Sequence, residues 1–200
     1  MGRWAHTVAA FSVIAMACAP ADATGMEAGP PRTIRVVVCD SVGVTPEVLA
    51  TAMLTTARVY GQIGIDIVWR DRVDQPGRPA SPTSESGTMT VYLRLVPLAW
   101  EPPAVTLSGA LGFTTVGGRV ASVVFERIVD LASNESLSVP DLLGYVMAHE
   151  LGHLLLGSKP HAVSGIMSEM VDRRGVTQGL LWFTRDEANA VRAKLRSPAQ

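Results

Sequence analysis

The sequence predicts an α+β domain built on a twisted, mixed sheet of about five strands. Short runs rich in β-branched residues recur along the earlier part of the chain and predict strands. A segment with helical periodicity separates the first two of these runs, and two further helical segments follow the last one. Helices therefore both connect strands and follow them.

The first two strands and the helix between them predict a parallel crossover. Residues 33–39, TIRVVVC, form the first strand, and residues 65–69, IDIVW, form the second. The tripeptide TPE at 45–47 supplies an N-cap, a proline at the first helical position and an early acid, so a helix begins there and runs to about Gly61. Because the three elements follow one another closely, we expect the two strands to lie parallel.

The middle of the chain predicts a long loop and then a hairpin. Residues 71–88 are rich in proline, serine and glycine and lack periodicity, which is typical of a surface loop. Residues 89–96, MTVYLRLV, alternate and predict a third strand. Gly117-Gly118 separates an apolar piece at 110–113 from a stronger run at 120–125, so these two strands are expected to pair antiparallel.

Two helices are predicted at the end of the chain. The first runs from about Val139 to Leu156, and the second runs from Arg185 to about Leu195. A capping-box pattern precedes each of them, SVPD from position 138 and TRDE from position 184.

Residues 1–23 are predicted to be a secretory signal peptide. They contain a basic start, an apolar run and a small-residue site that ends at Ala23. The apolar run, of roughly twelve residues, is too short to span a bilayer. We therefore expect residues 24–200 to form one secreted or periplasmic domain without a membrane span. The alternative is a lipoprotein anchored through Cys18.

Charge and cysteine content exclude two classes of chemistry. The formal net charge is −1 and no run of Lys and Arg occurs, so nucleic acid is not an expected partner. Cys39 is the single cysteine beyond residue 23, so we expect no internal disulfide. It ends an apolar strand and is predicted to be a buried residue rather than a nucleophile.

Three of the four histidines lie in the segment HELGHLLLGSKPH at 149–161. His149 and His153 stand one turn apart on the predicted helix, so both imidazoles face the same side. Glu150 is rotated by about 100° from His149, where its carboxylate can reach a water on a metal ion without binding the ion itself. This pattern indicates a catalytic zinc ion with Glu150 as general base.

The third metal ligand has to come from beyond the helix. Gly157 is predicted to end the helix in a left-handed conformation, after which His161 can return to the metal. Three protein ligands leave a fourth position for water, and imidazole ligands with an open position favour Zn²⁺. Glu169 is the alternative third ligand, and Asp172 is a more distant one.

HELGH, Gly157, His161 and the following Gly165-Ile166-Met167 resemble the metzincin-type zinc metallopeptidases. The resemblance extends to the order of elements, and it implies a metzincin-like fold with an active-site helix and a C-terminal helix. It also implies that Met167 forms the apolar floor of the metal site, as in the Met-turn of that family.

Two substrate-binding segments follow from the same resemblance. Residues 110–113 would be the edge strand that binds an extended peptide substrate by β-augmentation. Residues 168–183 would form a wall of the substrate pocket, although Leu180, Leu181 and Trp182 could instead pack under the last helix. The motif departs from the family's HExxHxxGxxH pattern, because His161 follows His153 by eight residues. We interpret this longer spacing as a variant found in small secreted bacterial proteins.

The function predicted from the sequence is a secreted zinc-dependent endopeptidase. Two alternatives remain open: a zinc-binding module without catalysis, and a zinc hydrolase that acts on a non-protein amide. A non-catalytic module has no use for a carboxylate beside the metal, so the presence of Glu150 favours an enzyme.

Overall fold

The computed structural model describes residues 32–71, 88–100, 109–114, 118–157 and 161–196. The predicted signal peptide, Cys18, nearly all of the predicted surface loop and the Gly117 side of the predicted hairpin turn lie outside the described residues.

A mixed sheet holds all the strands of the described residues. Four strands are parallel neighbours, and a fifth, short strand pairs antiparallel at one edge, in the order β2-β1-β3-β5-β4. The parallel crossover, the antiparallel pairing and the number of strands are therefore as predicted. The strands are β1 (Arg32–Asp40), β2 (Ile65–Asp71), β3 (Met89–Val96), β4 (Gly112–Thr114) and β5 (Val120–Val124).

Helices connect and follow these strands. Within the described residues there are α1 (Pro46–Gly61), α2 (Phe125–Glu135), α3 (Val139–Leu156), α4 (Arg173–Gln178) and α5 (Arg185–Arg196). The sequence analysis predicted α1, α3 and α5 within a residue or two of these bounds, and it missed α2 and α4. No helix in the described part of the chain is long and apolar enough to cross a membrane.

The predicted strand at 120–125 is wrong at its end. β5 stops at Val124, and α2 begins directly at Phe125 without an intervening loop. Ile128 and Ala132, one turn apart, are the buried residues of α2. This spacing is a helical signal, but the continuous apolar run through Phe125 concealed where the helix begins.

The predicted capping box is present at α5, and α3 begins at its predicted N-cap, Ser138. The Ser138 side chain accepts from the backbone N–H of Asp141 at 3.4 Å. The Thr184 N–H donates to the Glu187 carboxylate at 2.7 Å, and the Glu187 N–H donates to the Thr184 hydroxyl at 3.4 Å. These contacts fix where α3 and α5 begin.

Apolar side chains of the sheet and of α3 form a single core. Alternate side chains of the central strands, such as Ile34 and Val36 of β1, are buried on one face of the sheet. Full burial of one such side chain contributes about 1.5–3 kcal/mol to stability. Fully buried members of the core include Ile34, Val36, Leu93, Leu95, Val123, Leu142, Leu143 and Met147.

α1 and α3 pack in close contact because small residues face each other. The Thr56 hydroxyl lies 2.9 Å from the carbonyl oxygens of both Ala52 and Gly144. The Tyr60 hydroxyl donates to the Ala148 carbonyl at 3.1 Å. These contacts set the position of α3, and therefore of the HELGH segment in its last turns.

We predict that Gly144→Ala destabilises the fold. A Cβ at this position would lie 2.6 Å from the Thr55 Cβ and 2.7 Å from the Ala52 carbonyl oxygen, so α1 and α3 would have to separate. The expected loss in the free energy of unfolding is about 1–3 kcal/mol, measured by urea denaturation. Gly61→Ala is the control, because nothing lies within 4 Å of a Cβ there. Equal stability of the two variants would contradict the packing described.

Candidate metal centre

The three predicted metal ligands converge on one point at the end of α3. The Nε2 atom of His153 lies 2.9 Å from Nε2 of His149 and 3.1 Å from Nε2 of His161. One ligand atom from each of the three residues falls within 4.8 Å of the others. The helix supplies two of these imidazoles, and the chain beyond its end supplies the third.

A backbone carbonyl sets the orientation of His149. Its Nδ1 atom lies 2.7 Å from the carbonyl oxygen of Ile166. A carbonyl can only accept, so Nδ1 carries the proton and donates, which leaves the lone pair of Nε2 available for a metal. Sequence reasoning missed this partner, since a backbone group carries no residue-type signal.

Burial keeps the two helical imidazoles in the neutral form. Burial lowers the pKa of His149. For His153, burial and the neighbouring His149 and His161 lower the pKa to about 4. Neutral imidazoles are the form that binds metals, so at pH 7 both side chains are ready ligands without releasing a proton.

The donor set fits a zinc ion. A tetrahedral ion with bonds of about 2.0–2.1 Å holds its ligand atoms about 3.3–3.4 Å apart, close to the observed separations of 2.9 and 3.1 Å. Three neutral nitrogens also match the preference of Zn²⁺ and leave one position open. The cluster therefore supports Zn²⁺ as the bound ion.

Glu150 follows His149 directly in α3 and is almost completely buried. Its side chain is 5% exposed, and among the described residues its Oε2 atom has no hydrogen-bond partner. Burial raises the pKa of this carboxyl to about 8. A buried carboxylate without a partner is costly, which makes such a group a candidate for chemistry rather than for structure.

Gly157 ends α3, as predicted, but in a different conformation. The helix stops at Leu156, and the Gly157 N–H donates to the His153 carbonyl at 2.9 Å. The backbone of Gly157 has φ 73° and ψ −157°. This extended, positive-φ region is open essentially to glycine alone, and it differs from the left-handed helical cap that we expected. His161 lies in the cluster after this change of direction.

Met167 lies against the half of α3 that carries His149 and His153. It is buried, and a Cβ added to Gly152, between the two helical histidines, would collide with its Sδ atom. A turn begins at Gly165, which has φ 85°, and the Ala162 N–H donates to the Met167 carbonyl at 2.9 Å. The assignment of Met167 as the floor of a metal site stays a prediction.

The alternative oxygen ligands lie outside the histidine cluster. Glu169 is exposed, and the metal-binding group found among the described residues consists of the three histidines. Asp172 is the N-cap of α4, where its carboxylate accepts from the Arg174 N–H at 3.0 Å. The Asp172 carboxylate therefore has a structural role as a helix cap.

The segment predicted as a pocket wall, residues 168–183, is only partly exposed. It contains α4, and its Leu181 and Phe183 are core residues. The ring centroids of Phe183 and Tyr60 lie 5.2 Å apart. Leu180 is exposed. The Trp182 carbonyl accepts from the Ile166 N–H at 2.9 Å, so this segment supports the turn that orients His149.

Comparison with known proteins identifies a similar fold. No family model and no curated protein matches the sequence. The crystal structure of archaemetzincin from Methanopyrus kandleri is similar, with a TM-score of 0.50 and 16% identity over 86% of this chain and 99% of that chain. A zinc-dependent peptidase from Methanocorpusculum labreanum has a TM-score of 0.49 and 14% identity, over 81% and 99% of the two chains. At such identities the likeness to the archaemetzincin shows the fold alone.

We predict that Glu150 makes the metal-free fold less stable as the pH rises. Between pH 4.5 and about 8 the unfolded chain releases the Glu150 proton while the folded chain retains it. Rising pH therefore favours the unfolded state, by on the order of 2–4 kcal/mol at pH 8. Glu150→Gln removes this difference.

The measurement is urea denaturation of both proteins in a chelator at several pH values. The stability advantage of Glu150→Gln should be small near pH 4.5 and should grow toward pH 8. An advantage that does not change with pH would show that the pKa of Glu150 is not raised in the fold.

Proposed function

We propose that this protein is a secreted or periplasmic zinc-dependent endopeptidase of the metzincin type. His149, His153 and His161 hold the ion, and Glu150 is the general base. One observation carries the proposal: the Nε2 atoms of three histidines lie close together, and Glu150, the residue after His149, has a buried carboxylate oxygen without a hydrogen-bond partner among the described residues. The fold shared with an archaemetzincin supports the same reading.

The ion and the carboxylate have separate tasks. A bound Zn²⁺ polarises a carbonyl group and lowers the pKa of a water molecule toward 7. Glu150 accepts the proton of the attacking water and then donates it to the leaving amine. The backbone hydrogen bond to Ile166 holds His149 in the tautomer that can bind the ion.

Glu150 is suited to this task only when the ion is present. Burial raises the pKa of the carboxyl to about 8, so the metal-free protein keeps it largely protonated at pH 7. A nearby divalent cation favours the charged form and opposes the effect of burial. The carboxylate base would therefore form as the metal binds.

The proposed substrate is a peptide in extended form. β4 is the edge strand of the sheet, and its Gly112 lies against Glu150, so one edge of the sheet adjoins the catalytic group. An extended peptide that pairs with this edge would pass close to the histidines. Met167, packed against Gly152, would support the metal site from within the core.

We predict that Glu150→Ala abolishes peptide cleavage while zinc remains bound. Loss of a general base lowers rates by about 100-fold to 10,000-fold. The measurement compares cleavage of a mixed peptide library by the zinc-loaded protein and by the variant at equal zinc content. Glu47→Ala, in the first turn of α1, is the control for loss of an exposed carboxylate, and it should cleave normally.

Two results would contradict the proposal that this protein is a peptidase with Glu150 as its base. If the zinc-loaded protein cleaves no peptide of the library, a non-protein amide or a binding role replaces the proposal. If Glu150→Ala cleaves as fast as the unaltered protein, Glu150 is not the base.

We predict that zinc stabilises the protein and that His153→Ala removes most of the effect. A ligand that binds only the folded state adds about 2.7 kcal/mol when present at about 100 times its Kd. Thermal unfolding with and without zinc checks this in both proteins. Because the Nε2 atom of His153 lies within 3.1 Å of those of both His149 and His161, removal of His153 should cost more zinc affinity than Glu169→Ala. Equal zinc affinity in both variants would contradict the ligand set.

A further inference from the structure

We propose that Gly112 is a positioning residue for Glu150. The missing side chain at this position of β4 leaves the space that the Glu150 carboxylate occupies, and the bare backbone of the strand holds the carboxylate in place. The inference rests on the proposed function, because it concerns the group that is proposed as the base.

The contact between Gly112 and Glu150 leaves no room for a side chain. A Cβ built on Gly112 would lie 2.7 Å from each of the Cγ, Cδ and Oε1 atoms of Glu150. Carbon atoms in folded proteins do not approach this closely, so something would have to shift. All three atoms belong to the outer part of the side chain, which carries the carboxylate.

The glycine is required for space rather than for backbone conformation. Gly112 is absent from the glycines with positive φ, which include Gly157 and Gly165, so its backbone conformation suits any residue. A glycine within a strand weakens the strand, and it often marks a close approach of another group. Here that group is the Glu150 carboxylate.

β4 and the two residues before it are held to β5 and α2, so the strand has little freedom to move away from Glu150. The Val124 N–H donates to the Leu111 carbonyl at 2.9 Å, and the Arg127 guanidinium donates to the Ala110 carbonyl. Gly112 itself pairs with Val123 in the antiparallel ladder. An added methyl group would therefore displace the carboxylate rather than the strand.

Displacement of the Glu150 carboxylate would change its distance to the water that it deprotonates more than it would change its burial. Glu150 lies one position along α3 from His149, and its proton transfer depends on a distance that a shift of an ångström or so disrupts. The three atoms nearest to a Cβ at Gly112 all belong to Glu150, and none of them belongs to a histidine. A Gly112 variant should therefore still bind the metal but lose base catalysis.

The test is a double-mutant cycle on the purified protein, with Gly112→Ala and Glu150→Ala alone and combined. In the metal-free protein, Gly112→Ala should lower Tm by about 3–9 °C, as expected for overpacking. When Glu150 is already alanine, the methyl group at position 112 has space, and the same substitution should change Tm by less than about 2 °C. Gly61→Ala, where a Cβ meets nothing within 4 Å, is the matched control.

The zinc-loaded protein supplies a second readout. Gly112→Ala should keep its zinc affinity within about threefold and lose about 100-fold or more in kcat, with KM changed far less. Gly61→Ala should change neither. If Gly112→Ala is too unstable to purify, recovery of folding in the double variant still shows that the carboxylate is what the methyl group meets.

Two outcomes would overturn the proposal. An equal loss of Tm in both backgrounds would show that Gly112 serves the strand alone, and an unchanged kcat would show that it does not position the base. Because the stability cycle needs neither zinc nor a substrate, it can succeed when no peptide is cleaved. In that case the endopeptidase proposal fails, while the contact that positions Glu150 stands.

Discussion

The structure depends on one buried helix that carries polar chemistry at its end. Most residues of α3 are buried, and its first turns meet the sheet and α1 through apolar side chains. Its last turns carry His149, Glu150 and His153, which are polar and wholly or partly buried. Polar groups in such a place are costly without partners. A zinc ion would bind the imidazole nitrogens and favour the ionised form of the carboxylate. Metal binding would therefore determine the charge of these buried groups.

Three glycines allow other parts of the fold to approach α3 closely. Gly144 allows α1 to approach, Gly152 accommodates the Met167 side chain, and Gly112 of β4 accommodates the carboxylate of Glu150. Each of these contacts would be blocked by a single methyl group. Because these glycines have no side chain, α1, the turn with Met167 and the edge strand β4 can all pack closely against α3. This arrangement explains how a metal centre can be held by elements that are distant in sequence.

Local sequence signals predicted most elements because those elements have clear ends. The Ser138 N-cap and Gly157 delimit α3, and the four-residue spacing of His149 and His153 placed both imidazoles on one face. α2 was missed because no turn residue separates β5 from Phe125. β4 was predicted at 110–113 and lies at Gly112–Thr114, since its register is set by pairing with β5 rather than by its own short sequence.

The parts of the site that the sequence could not predict are contacts between distant segments. The Ile166 carbonyl orients His149 as a backbone group, and a backbone group has no residue-type pattern. The role of Gly112 depends on the exact approach of β4 to Glu150, which only the packed fold defines. His161 was predicted from the motif although its spacing departs from the family pattern, and the structure places its Nε2 beside that of His153.

X-ray absorption at the zinc edge, on the purified protein loaded with one equivalent of zinc, tests the central claim most directly. The account predicts scattering from three imidazole rings and one further light atom, with first-shell distances of about 2.0–2.1 Å. The His161→Ala protein should show one imidazole fewer. Two imidazoles with a carboxylate ligand in the unaltered protein, or no zinc retained at all, would contradict the three-histidine centre.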